Sequence, residues 1–343
     1  MRFYQRRFTM TSQNIFKTML IFTIILFASF ANAAIYRVNG LDGADADFTT
    51  IQAAVTAAAD GDTLYIEGYP NYDGWTATKK LTYIGPGYFL GENPETQANT
   101  TPAKITDDVT IDVGAEGSVL TGLSFSDYLY IYADSTIVKR NHFTLYINIG
   151  VAGKTPSDII FKQNYVAFAS SYSITVHNYC HNILFFNNYI WSSNYSYTCI
   201  SSGIYSSVIV DHNVVYGEVR LYNSVFSNNI MYNGEFSGDY NGYYNNVCNA
   251  AQLTADNGNI LDKDMTTVFK LTGSTDGKYQ LKSGSPAIGA DAENGDCGMF
   301  GGTDPYVLSG VPSELPTIYY FYNSGSGTTV SGLPIHLKAK TRD

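Results

Sequence analysis

The segment Val208-Ile-Val-Asp-His-Asn213 sets a carboxylate directly before an imidazole, and Arg220 follows a few residues later. Asp211, His212 and Arg220 are therefore the candidate acid and base groups for proton transfer. A second route to that chemistry is a pair of carboxylates, and Asp107-Asp108 is such a pair; the strand pattern of Val109 to Val113 places it at a turn, where acids are ordinary. Two acid clusters could hold Ca²⁺ through oxygen ligands: Asp42, Asp45 and Asp47 near the start, and Asp291, Glu293 and Asp296 near the end. Neither fits an EF-hand loop. The five histidines, His142, His177, His181, His212 and His336, show no metal-ligand spacing. Among the 29 tyrosines and 19 phenylalanines, Tyr165, Phe186, Tyr189 and Tyr244 fall in outward columns of a repeat and would form an aromatic ladder suited to sugar rings.

That repeat is the element that positions all of these groups. Its copies read Ile137-Val-Lys-Arg-Asn141-His-Phe143, Ile160-Phe-Lys-Gln-Asn164-Tyr-Val166, Leu184-Phe-Phe-Asn-Asn188-Tyr-Ile190, Ile209-Val-Asp-His-Asn213-Val-Val215, Val225-Phe-Ser-Asn-Asn229-Ile-Met231 and Gly242-Tyr-Tyr-Asn-Asn246-Val-Cys248. Successive asparagines lie 23, 24, 25, 16 and 17 residues apart. The position three before each Asn and the position two after it are both apolar. They are an odd number of residues apart, whereas a straight strand returns to one face at even separations. For both tracks to face one core the chain must turn a corner between them, and Asn tolerates a left-handed bend there. Asn141, Asn164, Asn188, Asn213, Asn229 and Asn246 would then stack, their amides bonding from coil to coil. In this register Asp211 and His212 fill slots held elsewhere by Lys139-Arg140, Lys162-Gln163 and Phe186-Asn187, which reads most simply as variable outward positions.

A period near 23 to 25 residues, with short β-rich segments and no helical periodicity between them, is one coil of a right-handed parallel β-helix. The fold class is thus all-β, a solenoid with closed ends. Thr49-Thr-Ile-Gln52 matches a capping box opening a short helix from Phe48 to Ala58 that plugs the first coil. At the other end Pro312 and Pro316 bracket a linker, followed by two closing strands at Ile318 to Phe321 and Leu333 to Ala339. The expected organisation is a signal peptide over 1–33, an N-terminal strand and capping helix over 34–62, the β-helix over 63–305, and the Pro-containing linker with a C-terminal strand pair over 306–343.

Arg2, Arg6, Arg7 and Lys17 precede the apolar run Met19 to Phe30, which ends in Ala31-Asn32-Ala33. This is a signal-peptide layout with Ala34 as the mature start, so the chain is expected to be secreted, at the cell surface or periplasmic. No segment of the mature chain is apolar for long enough to span a membrane. Removing residues 1–33 moves the formal charge from −10 to −14, with 16 basic against 30 acidic side chains. Such a surface disfavours nucleic acid and polyuronates and leaves neutral glycans or divalent cations unopposed. Of Cys180, Cys199, Cys248 and Cys297, the register puts Cys248 on a core track as a free thiol; a Cys180–Cys199 bridge stays open.

The chain resembles the pectin-lyase-like right-handed parallel β-helix superfamily over roughly Ile35 to Pro305, and within it secreted Bacteroidetes-type β-helix proteins. The residues that carry the likeness are Phe48-Thr-Thr-Ile-Gln52, Tyr83-Ile-Gly-Pro-Gly-Tyr-Phe89, the Asn-cornered coils, Ser285-Pro-Ala-Ile-Gly289 and Asp296-Cys-Gly-Met-Phe-Gly301. Pectate lyases in that superfamily carry a Trp-Ile-Asp-His segment and an Arg-x-Pro-x-x-Arg segment whose Arg removes a proton acidified by calcium. Val208 to Asn213 echoes the first, and the second is missing. The Gly-His-Gly and Asn-Thr-Asp segments of polygalacturonases do not occur. The expected function is therefore a non-catalytic secreted or cell-surface β-helix that presents a side-chain array to a glycan or protein, with no cofactor beyond a candidate Ca²⁺. The alternatives are an atypical polysaccharide lyase or glycoside hydrolase and a self-assembling structural protein.

Overall fold

The computed structural model describes residues 33–341 apart from 172 and 331, so the expected signal peptide lies outside the described residues. From Ile35 to Cys248 the chain winds as a right-handed parallel β-helix whose coils each add one strand to three parallel sheets. Sheet one has ten strands, from Ile35–Val38 to Gly242–Tyr244; sheet two has nine, from Tyr69–Tyr72 to Val247–Cys248; sheet three has eight, from Thr76–Ala77 to Phe236–Ser237.

Both apolar tracks face one core, as the odd spacing requires. Val138, Phe161, Phe185, Val210 and Phe226 stack on sheet one, and Phe143, Val166, Ile190, Val215, Met231 and Cys248 on sheet two, all fully buried. The corner between them differs from expectation in one respect. The left-handed residue is the one before the recurrent Asn: Arg140, Gln163, Asn187, His212, Asn228 and Asn245 have φ between 53° and 55°. The Asn itself supplies the ladder. From Asn164 onward each Asn side-chain carbonyl accepts the backbone N–H of the Asn one coil earlier, as in Asn164 N to Asn188 Oδ1 (2.9 Å) and Asn188 N to Asn213 Oδ1 (2.9 Å), while Asn141 Oδ1 accepts Leu123 N. Each side-chain N–H donates to a strand carbonyl, as Asn188 Nδ2 does to Phe161 O (2.9 Å). Asn259 extends the ladder by one rung beyond the repeat, accepting from Asn246 N at 3.0 Å.

The shortest coil, from Asn213 to Asn229, passes from sheet two to sheet three through Gly217 alone. Its φ is 131°, and a Cβ there would lie 2.8 Å from Cys199 Sγ. All four cysteines are free and buried, so no Cys180–Cys199 bridge forms. Burial pushes the Cys180 thiol up to about 11, which makes it a poor nucleophile.

The N-terminal plug is a helix, Ile51–Ala57, that buries Ile51, Ala54 and Val55 on the first coil. It starts later than expected: Thr50 rather than Thr49 is the cap, accepting from Ala53 N, and Gln52 bonds Thr76 N instead of closing a capping box. Beyond the last coil, residues 265–316 do not leave the solenoid but return along it. They run back and forth across the corner of sheets one and two, meeting Asn93 at Asp276, Asn245 at Cys297 and Phe89 at Ser309, and the chain ends in an antiparallel hairpin, Thr317–Asn323 with Ile335–Lys340. No helix among the described residues is long and apolar enough to cross a membrane.

Candidate functional site

The returning segment decides which predicted site residues are accessible. It covers the column one after each Asn, so Tyr165, Tyr189, Val214, Ile230 and Val247 form a second core with Val268, Phe269, Tyr279, Cys297, Met299 and Tyr306. Tyr165 and Tyr189 do stack outward, 4.7 Å between ring centroids, but they are only 5% and 1% exposed. The expectation that they offer a platform for sugar rings is thus corrected: their outer side is taken by Tyr88, Phe89 and Tyr279. His142 sits in the same layer against Tyr88, Phe89 and Tyr165, and burial, with the charge of Lys104, lowers its pKa to about 4. Of the four aromatic candidates, Phe186 lines a groove and Tyr244 stays exposed at the last coil.

Asp211 and His212 meet the returning segment at that groove, a cavity of about 460 Å³ shared with Lys162, Asn187, Asp291, Glu293 and Asp304. His212 Nδ1 lies 2.6 Å from Asp211 Oδ2, and Nε2 lies 3.3 Å from Asp291 Oδ2. Burial opposes the charged imidazole, yet the two carboxylates outweigh it and hold the His212 pKa above its ordinary value. Burial likewise opposes ionised Asp291, but the N–H groups of Glu293 and Gly295 and the neighbouring imidazolium bring its pKa below the usual range. Asp211 Oδ1 accepts from Ser227 Oγ (2.7 Å) and Asn228 Nδ2 (2.8 Å). An imidazolium whose two N–H groups each face a carboxylate has no lone pair for a substrate proton. It ties the returning segment to the coil. Arg220 is not part of this set: it lies on sheet three, paired with Glu218 at 2.9 Å.

The two expected calcium clusters do not converge. Asp47 accepts Arg37 N, the Asp45 carbonyl accepts from the Arg37 guanidinium, and Asp42 stands on an exposed loop. Asp291 Oδ1 is used by its own loop, and Asp296 accepts Gly289 N. The carboxylates that do meet within 4.8 Å among the described residues are Asp107, Asp108 and Asp127, on adjacent coils at the edge of sheet three. Burial and the Asp127 charge raise the Asp108 pKa.

Among the described residues, neither the returning segment nor the C-terminal hairpin bonds to the outer face of sheet three. Its register aligns Val109, Leu129, Ile147, Ile174, Ile200, Val219 and Phe236 pointing inward. The residues after them form an outward column, Thr110, Tyr130, Asn148, Thr175, Ser201, Arg220 and Ser237. The residues before them include Asp108, Tyr128, Tyr146, Ser173, Glu218 and Glu235. Six coil steps of about 4.8 Å make this face about 29 Å long. Tyr128, Tyr130, Tyr132 and Tyr146 are half-buried. Tyr128 meets Tyr146 at 82° and Tyr130 at 88°, edge to face rather than in a parallel stack. Beyond them Ser173, Thr175 and Ser201 join hydroxyls at 3.0 and 3.5 Å. The face ends in a pocket of about 380 Å³ lined by Tyr195, Glu218, Asn233, Glu235, Asn249 and Gln252.

The three parallel sheets make this architecture a right-handed parallel β-helix. Among solved structures the chain is similar to the crystal structure of pectate lyase Pel9A, at 11% identity over 79% of this chain and 96% of that one, with a TM-score of 0.36; the likeness concerns the fold alone. No protein-family model matches the chain, and no curated protein matches it.

Proposed function

We propose that the chain is an exported β-helix protein that binds a linear glycan along the outer face of sheet three without cleaving it. The observation that carries this reading is the strip of Tyr128, Tyr130 and Tyr146, whose rings meet edge to face at the surface and continue into a row of hydroxyl and amide side chains. Aromatic faces suit the C–H faces of pyranose rings, and the hydroxyl row suits their rims. The acidic charge favours neutral or cationic glycans over uronates.

Support for a binding role comes from the state of Asp211 and His212, whose polar atoms are already bonded to Asp291, Ser227 and Asn228. The test is a panel of soluble oligosaccharides on the purified chain, with and without calcium, recording both retention and released products. Retention without products, lost in Tyr130→Ala, is the expected result. A second reading, an atypical lyase or hydrolase, draws on the groove around Asp211, His212 and Glu293; release of unsaturated or reducing ends that disappears in Asp211→Ala would establish it and remove the first.

A further inference from the structure

We infer that the pocket closing the sheet-three face is a subsite for the ammonium group of an amino sugar, an inference that rests on the glycan reading of that face. Val219 pairs with Phe236, and Val219 N donates to Glu235 O at 2.8 Å, which puts Glu218 and Glu235 at the same position of consecutive coils. Like charges directly opposite in a sheet destabilise it, and strands here are about 4.8 Å apart. Arg220 neutralises Glu218 at 2.9 Å. Glu235 has neither an ion pair nor a side-chain hydrogen bond among the described residues, and it is exposed. The pair therefore retains one uncompensated negative charge on the wall of a cavity large enough for a sugar ring.

The rest of the wall fits the body of such a ring. Tyr195 is 54% exposed and presents its ring beside the carboxylates. Gln252 Nε2 donates to Asn249 Oδ1 (2.6 Å), and Asn249 Nδ2 donates to Asn233 Oδ1 (3.0 Å), a chain that fixes the Asn233 amide. Among the described residues the Nδ2 donor of Asn233 has no hydrogen-bond partner, and Asn233 lines the pocket, which leaves that donor for a ring hydroxyl. A uronate here would bring a third carboxylate against Glu235. An N-acetyl group would present no cation. A glucosamine unit supplies a ring for Tyr195, hydroxyls for Asn233 and an ammonium for Glu235.

The experiment is calorimetric titration of the full chain at low salt with three hexasaccharides, one of glucosamine, one of N-acetylglucosamine and one of glucose. The glucosamine hexamer is expected to bind about tenfold tighter than the other two, the strength of one charge-assisted contact. That preference is expected to vanish in Glu235→Gln and to shrink in 0.5 M salt, while Tyr130→Ala weakens all three alike. Equal binding of the three sugars, each lost in Tyr130→Ala, overturns the subsite and leaves the face standing. No binding of any hexamer overturns the glycan reading itself. A preference that persists in Glu235→Gln also overturns the subsite. Glu235→Gln keeps the shape of an exposed side chain, and a melting curve matching the parent confirms that its effect is local.

Discussion

Asn188 serves two coils at once. Its carbonyl oxygen accepts from the backbone N–H and the side-chain amide of Asn164, and its own amide donates to Phe161 O. Replacing it with Ala leaves these groups buried and unpaired, and denaturant unfolding should show a loss of about 3 kcal/mol; a loss below about 1 kcal/mol would show that the ladder contributes little. His212 makes a different prediction. Its folded pKa lies above the ordinary imidazole value, so the stability it supplies is complete below about pH 6.5 and is lost as pH rises through the folded pKa. Asp291 has the opposite sign: its contribution is complete above about pH 4 and is lost as acid reaches its lowered pKa. The gap in melting temperature between the parent and His212→Gln should therefore be widest near about pH 5 to 6 and close in alkali. His142, held neutral by burial, weakens both proteins toward acid and cancels from the difference. A gap that widens with rising pH would contradict the clamp.

At the scale of elements, the returning segment separates aromatic residues that look alike in sequence. Tyr189 packs between Tyr165 and Tyr279 in the second core, whereas Tyr130 lies on an open sheet face. Tyr189→Ala should cost about 3–5 kcal/mol, the range for deleting a buried aromatic ring. Tyr130→Ala should change stability by no more than about 0.5 kcal/mol while removing glycan retention. Chemical denaturation of the two variants side by side checks both. The contrast also explains what the sequence could reveal. The core tracks and the Asn ladder keep fixed offsets from one another, so their repeat was visible. The sheet-three strand does not: the residues from Leu129 to Asn141, Ile147 to Asn164 and Val219 to Asn229 span 12, 17 and 10 positions, and a column at a drifting offset hides its tyrosines. The corner slots were misread for a related reason. Arg140 donates to Val311 O, Gln163 to Pro305 O, Asn187 to Gly301 O, and His212 faces Asp291. They vary because each coil holds a different stretch of a segment without a repeat, and variation alone resembles exposure to solvent.

Over the whole molecule these contacts change how the solenoid should unfold. A bare coil stack is stabilised only by nearest neighbours and frays from its ends. Here Asp276, wholly buried, accepts from Asn93 Nδ2 (2.9 Å) and Ser309 N (2.6 Å), while Tyr306 bonds Tyr88 across the same layer. Residues after the last coil are thereby fastened beside the first coils. Hydrogen exchange should report one cooperative opening of coils 120–248 in the parent and staged opening in Asp276→Ala; staged opening in both would mean the segment adds no cooperativity. The same fastening makes the protein a ruler. Corner residues and their partners advance in opposite chain directions, one coil for each stretch of the return. An extra coil inserted between Asn164 and Asn213 would displace every later partner by about 4.8 Å. Among coils carrying the return, lengthening by duplication would require a matching insertion in each stretch of residues 276–305 that passes them, so the two halves of the chain can grow only together.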